Sequence, residues 1–150
     1  NNNFAHGDFA TAIGDGTTAS GLHSTALGYN TTAWVDYSTA FGCNTVGNGV
    51  NSTAMGYNTE ADSFDSVVMG QFNVLWPPYG STWIPTEPLF QIGNGADATH
   101  RSDALTVYKN GNATLQGTFT APSITVTGSD GFMTTAASVA NTDSPMYSGH

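Results

Sequence analysis

The chain has 150 residues, enough for at most one ordinary domain, and Gly, Thr, Ser and Asn make up nearly half of it. Charged residues are 9%, and two basic side chains, Arg101 and Lys109, face eleven acidic ones for a net charge of −9, so nucleic-acid binding is excluded for want of phosphate contacts. A coiled coil does not fit this composition, no apolar run reaches the roughly 20 residues of a membrane span, and the hydrophobic content of 39% argues against disorder.

From residue 4 to residue 74 the chain repeats. Gly14, Gly28, Gly42, Gly56 and Gly70 are 14 residues apart. Before each comes Ser-Thr-Ala-Φ or a close variant, with Φ large and apolar: Ile13, Leu27, Phe41, Met55, Met69. Thr17, Thr31, Thr45 and Thr59 follow at fixed distance, and Asn30, Asn44 and Asn58 mark turns. The unit splits into halves, each with an Ala-x-Gly element. A heptad reading fails, because Gly at nearly every seventh position costs a helix about 1 kcal/mol each. Short strands joined by Gly/Asn turns fit, so the expected fold is all-β, a parallel β-roll (solenoid). Each 14-residue coil would hold two strands of about five residues, with neighbouring coils roughly 4.8 Å apart.

Side chains alternate along a strand, so Ala and Gly share one face and Thr and Φ the other. So small a coil has room inside only for Ala, Gly and Ser. The stripe Ile13, Leu27, Phe41, Met55 and Met69 is therefore expected to face outward as a trimer interface. The polar half, with Ser20, Asn48 and Asp62, is expected to face solvent. A monomeric solenoid with Φ inside is the alternative.

This pattern resembles the YadA-like head of trimeric autotransporter adhesins over residues 4–74. The resemblance implies a left-handed roll that trimerises side by side. Trp34-Val35 and Asp62-Ser63 depart from the small-residue/Gly pattern and put the local turns in question.

Residues 75–88 hold four of the six prolines and two of the three tryptophans. Proline cannot continue a ladder, so the segment reads as a cap or neck at the end of the roll. Trp76, Tyr79 and Trp83 are alternatively a ligand platform, since such rings dominate binding hot spots. Residues 89–128 read as a smaller β-strand/hairpin region, with strands at 89–93 and 104–108, a hairpin turn at Asn110-Gly111 into 113–115, and a strand at 123–127. The run 92–112 is similar to segments of phage-tail-fibre-like surface proteins. Both basic residues lie there, and an Arg101–Asp103 or interchain ion pair is expected. Residues 129–150 read as an extended tail.

Asp8, His23 and Asp36 lie near equivalent coil positions and are weighed as a metal site, which is rejected. No nucleophile motif occurs, and no enzyme activity or cofactor is expected. Cys43 reads as an exposed thiol near a turn; an interchain disulfide is the alternative. Ice binding by Thr ladders is rejected, because the row Thr18, Thr32 continues as Val46 and Glu60. Asn30, Asn51 and Asn112 begin N-glycosylation triplets, which arise by chance in so Asn/Thr-rich a sequence. The chain starts Asn1-Asn2-Asn3 and reads as a mature product or a fragment. The functional expectation is a homotrimeric extracellular, cell-surface or virion-surface fibre, structural and adhesive, with no membrane insertion in this segment. Higher filaments and a host or matrix glycan or protein are candidate partners. A phage or virus tail fibre recognising host glycans is the alternative, and a hydrolase domain a third.

Overall fold

The computed structural model describes residues 2–123. The chain divides into two units, Asn1–Phe119 and Thr120–His150. The expected strand at 123–127 and the tail at 129–150 fall almost wholly outside the described residues.

Among the described residues all regular structure is β, and it forms two sheets. Residues 4–71 wind as a parallel solenoid. Each coil contributes a two-residue strand to a short sheet: β1 (Phe4–Ala5), β3 (Thr18–Ala19), β5 (Thr32–Ala33), β7 (Val46–Gly47) and β9 (Glu60–Ala61). Five-residue strands form a long sheet: β2 (Thr11–Asp15), β4 (Thr25–Tyr29), β6 (Thr39–Cys43), β8 (Thr53–Tyr57) and β10 (Val67–Gln71). Register follows the repeat, as in Ala26↔Ala40 and Phe41↔Met55. The expectation of two five-residue strands per coil is corrected here. The second strand is cut to two residues by a turn whose last corner is left-handed, at Phe9, His23, Tyr37, Asn51 and Asp65. Asn30, Asn44 and Asn58 take the other left-handed corner with φ of 50–52°, a conformation Asn tolerates better than most residues. Trp34-Val35 and Asp62-Ser63 leave the turn intact. The Ser38 and Ser66 amides donate to Val35 O and Ser63 O at 3.2 Å, as Ser24 N does to Gly21 O.

The interior is as small as the coil length demands. Ala26, Ala40 and Ala54 from the long sheet, Ala19, Ala33 and Ala61 from the short sheet, and Ser24, Ser38 and Ser52 are all fully buried. So are Thr17, Thr31, Thr45 and Thr59, which widens the expected Ala/Gly/Ser interior to include threonine. Gly28 and Gly42 show how tightly the coils stack: a Cβ there would lie 2.0 and 2.1 Å from the carbonyl oxygen of Gly42 and Gly56.

The solvent-facing assignment of the polar half is corrected at Asn48 and Asp62, while Ser20 is half-buried. Asn48 is 6% exposed and Asp62 3%. Asn48 Nδ2 donates to Asp62 Oδ1 at 3.0 Å, and Trp76 N donates to Asp62 Oδ2 at 2.9 Å. The Pro/aromatic segment covers this corner, with Gly80 N donating to Asp62 O and Gly80 O accepting Val50 N.

After that excursion the chain returns to the long sheet. β11 (Pro88–Asn94) pairs in parallel with β10, aligning Met69↔Ile92 and Gly70↔Gly93. β12 (Asp103–Tyr108) and β13 (Ala113–Leu115) add antiparallel, making one sheet of eight strands. The hairpin region thus extends one wall of the roll. The β12–β13 turn runs through Asn110 and through Gly111 at φ 88°. Gly111 N donates to Tyr108 O, and Tyr108 N donates to Asn112 O.

Candidate functional site

Two surfaces stand out: the outer face of the long sheet, and the C-terminal end of the roll.

On the outer face, strand alternation turns the Φ residues away from the buried alanines. Ile13 is 57% and Phe41 49% exposed, while Leu27, Met55 and Met69 are half-buried. The register continues this row beyond the repeat, from Met69 to Ile92, Leu105 and Leu115. In the sequence the 14-residue spacing of this row ends at Met69. The Ile92-Gly93 pair copies Met69-Gly70, but at a spacing that breaks the period. Tyr29, Cys43 and Tyr57 flank the apolar row in register. Cys43 lies at the end of β6 beside the Asn44 corner, near a turn as expected, but it is half-buried and not exposed.

At the C-terminal end, side chains replace backbone rungs. Asn73 occupies the place of the interior threonines and is fully buried. Its Oδ1 accepts Glu60 N and its Nδ2 donates to Glu60 O, both at 2.9 Å, so an amide side chain pairs with the last short strand. Arg101 Nη1 donates to Asn58 O and Asn73 O at 3.2 Å, and the guanidinium lies over Phe72. Its carboxylate neighbour is Glu60, at 3.8 Å, in place of the expected Asp103. Asp103 is consumed by its own donors: Val74 N at 3.0 Å, Gln91 Nε2 at 2.7 Å and Thr106 Oγ1 at 2.9 Å. Burial, and then the Asp62 charge, push the Glu60 carboxyl above its ordinary pKa, with Arg101 opposing. Lys109 Nζ is buried against Glu87 Oε2 at 3.0 Å and lies over the Trp83 and Phe64 rings.

The three rings weighed as a platform have different surroundings. Trp76 packs edge-on against Tyr108 with ring centres 5.9 Å apart, Trp83 takes Lys109, and Tyr79 is 64% exposed. Asp8, His23 and Asp36 form no metal cluster, and the described residues hold none. His23 instead stacks between Phe9 and Tyr37, with centroid distances of 4.9 and 5.6 Å, and Asp36 Oδ1 accepts Leu22 N. That column of rings is visible in the sequence as three aromatic-ring residues 14 apart. The exposed Asp97 carboxylate is held well below the usual range by the Thr99 hydroxyl, then by His100. All three asparagines of the glycosylation triplets, Asn30, Asn51 and Asn112, are exposed, and Asn30 donates its amide to Asn44 Oδ1 at 2.8 Å.

The roll thus stacks 14-residue coils with alanine inside and Φ outside. The YadA head domain repeat (2 copies) matches residues 5–31, 19–45 and 48–73. The roll is similar to that head repeat. The matched segments cover a little under half of the chain and stop where β10 gives way to the Pro/aromatic segment. Among curated proteins and solved structures nothing matches. The similarity of residues 92–112 to phage-tail-fibre-like proteins finds no support in these comparisons.

Proposed function

We propose that the chain is a non-enzymatic fibre module of the cell surface or extracellular space, structural and adhesive, working as a homotrimer. The observation that carries this reading is the apolar row on the outer face of the long sheet. It runs from Ile13 in β2 to Leu115 in β13 and crosses all eight strands. Contiguous apolar surface of this extent is characteristic of association sites. Among the described residues only the long sheet carries it, which suits packing about a single axis. The resemblance to trimeric autotransporter adhesins supports three copies and an outward-facing location.

Light scattering tests the assembly. The expected mass is three times the 15.6 kDa chain at micromolar concentration. Phe41→Asp, in the middle of the row, should reduce it to the monomer, while Thr82→Asp, exposed on the Pro/aromatic segment, should leave it unchanged. A monomeric parent protein, or equal behaviour of the two variants, would remove the interface.

A further inference from the structure

The roll is closed by two walls as far as Ala61; beyond it, among the described residues, β11–β13 continue only the long wall. The inward row therefore changes character. Ala54 and Val68 are followed in register by Gln91, Thr106 and Thr114. Gln91 and Thr106 are buried and hydrogen-bonded to Asp103, whereas Thr114 is exposed. The inner surface of the sheet opens there as two adjoining hollows that share Tyr108 and Thr114. One, of about 170 Å³, is lined by Trp76, Asp103, Thr106 and Gln116 among others; the other, of about 450 Å³, by Thr86, Asn110 and Asn112.

We propose that this opening is a binding site for an uncharged saccharide unit of a glycan. Three features support that chemistry. First, the Trp76 and Tyr108 rings meet edge-to-face at the inner hollow and supply apolar ring surface for the C–H face of a sugar. Second, the lining is otherwise mostly hydroxyl and amide, groups that both donate and accept, as sugar hydroxyls require. Third, charge selects against acidic glycans. Arg101 and Lys109 are the only Lys or Arg residues in the chain. One is committed to carbonyls beside Glu60 and the other is buried on Glu87, so neither is left for a carboxylate or sulfate. Asp103 at the floor adds negative charge. The site lies on the opposite face of the long sheet from the apolar row, so binding and trimerisation are separable. The inference rests on the adhesive reading and adds a ligand class and a place to it.

The test uses the full chain, expressed without glycosylation because Asn112 sits on the rim. It is applied to immobilised neutral oligosaccharides of galactose, glucose, mannose and N-acetylhexosamines, with sialylated and sulfated counterparts as the second arm. Binding confined to neutral members is expected. Tyr108→Ala and Asn112→Ala should each weaken it about three- to tenfold with the light-scattering mass unchanged. Saturation-transfer NMR on a bound neutral sugar should show the loss in the same variants. Failure of every neutral member to bind at millimolar concentration overturns the proposal, as does selective binding of acidic glycans. So does neutral-glycan binding that both variants retain in full. Loss of the trimer in Phe41→Asp with binding at the monomer level intact would leave this site standing, while a monomeric parent that still binds neutral sugar would sink only the assembly.

Discussion

The coiled part of the molecule and its C-terminal end solve one problem in two ways. In the coils, each backbone rung is completed by the rung of the next coil, and equivalent positions of the repeat stack in register, Thr on Thr, Ala on Ala and Gly on Gly. At the end, among the described residues, no further coil follows β9 in the short sheet. Asn73, Asp62 and Arg101 stand in for it with side-chain amide, carboxylate and guanidinium. The coils are limited by space, and the end by the satisfaction of polar groups.

That contrast is broken most severely by adding a methyl group. In Gly42→Ala the new Cβ would sit 2.1 Å from Gly56 O, at a φ of 132° that L residues rarely adopt. The neighbour is backbone and cannot swing away, so a loss of about 3 kcal/mol or more is expected. Gly111→Ala has positive φ too, but among the described residues nothing lies within 4 Å of its Cβ. It should cost only about 1–2 kcal/mol, the left-handed penalty alone. Urea unfolding of the two variants makes the comparison; equal losses would mean that coil spacing does not govern stability in the roll.

A smaller effect probes the end. Asn73→Ala removes both bonds to Glu60 and leaves that residue's N–H and C=O without their partners. A loss of about 2–3 kcal/mol is expected. Asn73→Thr restores the residue of the other coils and should not rescue stability, because a hydroxyl cannot span both groups. Hydrogen exchange at the Glu60 amide reports directly: protection should fall in both variants, and unchanged protection would show that the amide rung is dispensable.

The coils were largely legible because their determinants are local and repeated. Gly28 and Gly42 mark close approach, Asn30 and Asn44 mark left-handed corners, and the alanine rows mark a narrow interior. The inward threonines were not legible. Alternation restarts after each corner, and nothing in Thr17 or Thr31 says which way it restarts. The burial of Asn48 and Asp62 depends on Trp76 and Gly80, which reach this corner from the Pro/aromatic segment. The expected Arg101–Asp103 pair followed sequence proximity. The fold gives Arg101 to carbonyls at positions 58 and 73, and Asp103 to Gln91 across the sheet. The return of β11 to the roll required seeing Ile92-Gly93 as a displaced copy of Met69-Gly70.

The smallest expected effect concerns Glu60, where the two regions meet. Its carboxyl is partly buried beside Asp62, and Arg101 only partly compensates, so its folded-state pKa lies above the unfolded value. The folded protein then holds the Glu60 proton more tightly than the unfolded chain does. Stability contributed by this group is present at low pH and is lost as pH rises through the raised value. Glu60→Gln removes the charge while keeping an acceptor for Asn48 Nδ2, now 3.5 Å from Glu60 Oε2. The variant should melt at a higher temperature than the parent at pH 7, and the difference should vanish below roughly pH 4, where both states carry the proton. Thermal unfolding across that range reads the sign. A variant less stable than its parent at pH 7 would mean that the Arg101 attraction outweighs burial and Asp62 together. Glu60 would then act as one more side chain that fastens the end to the coils.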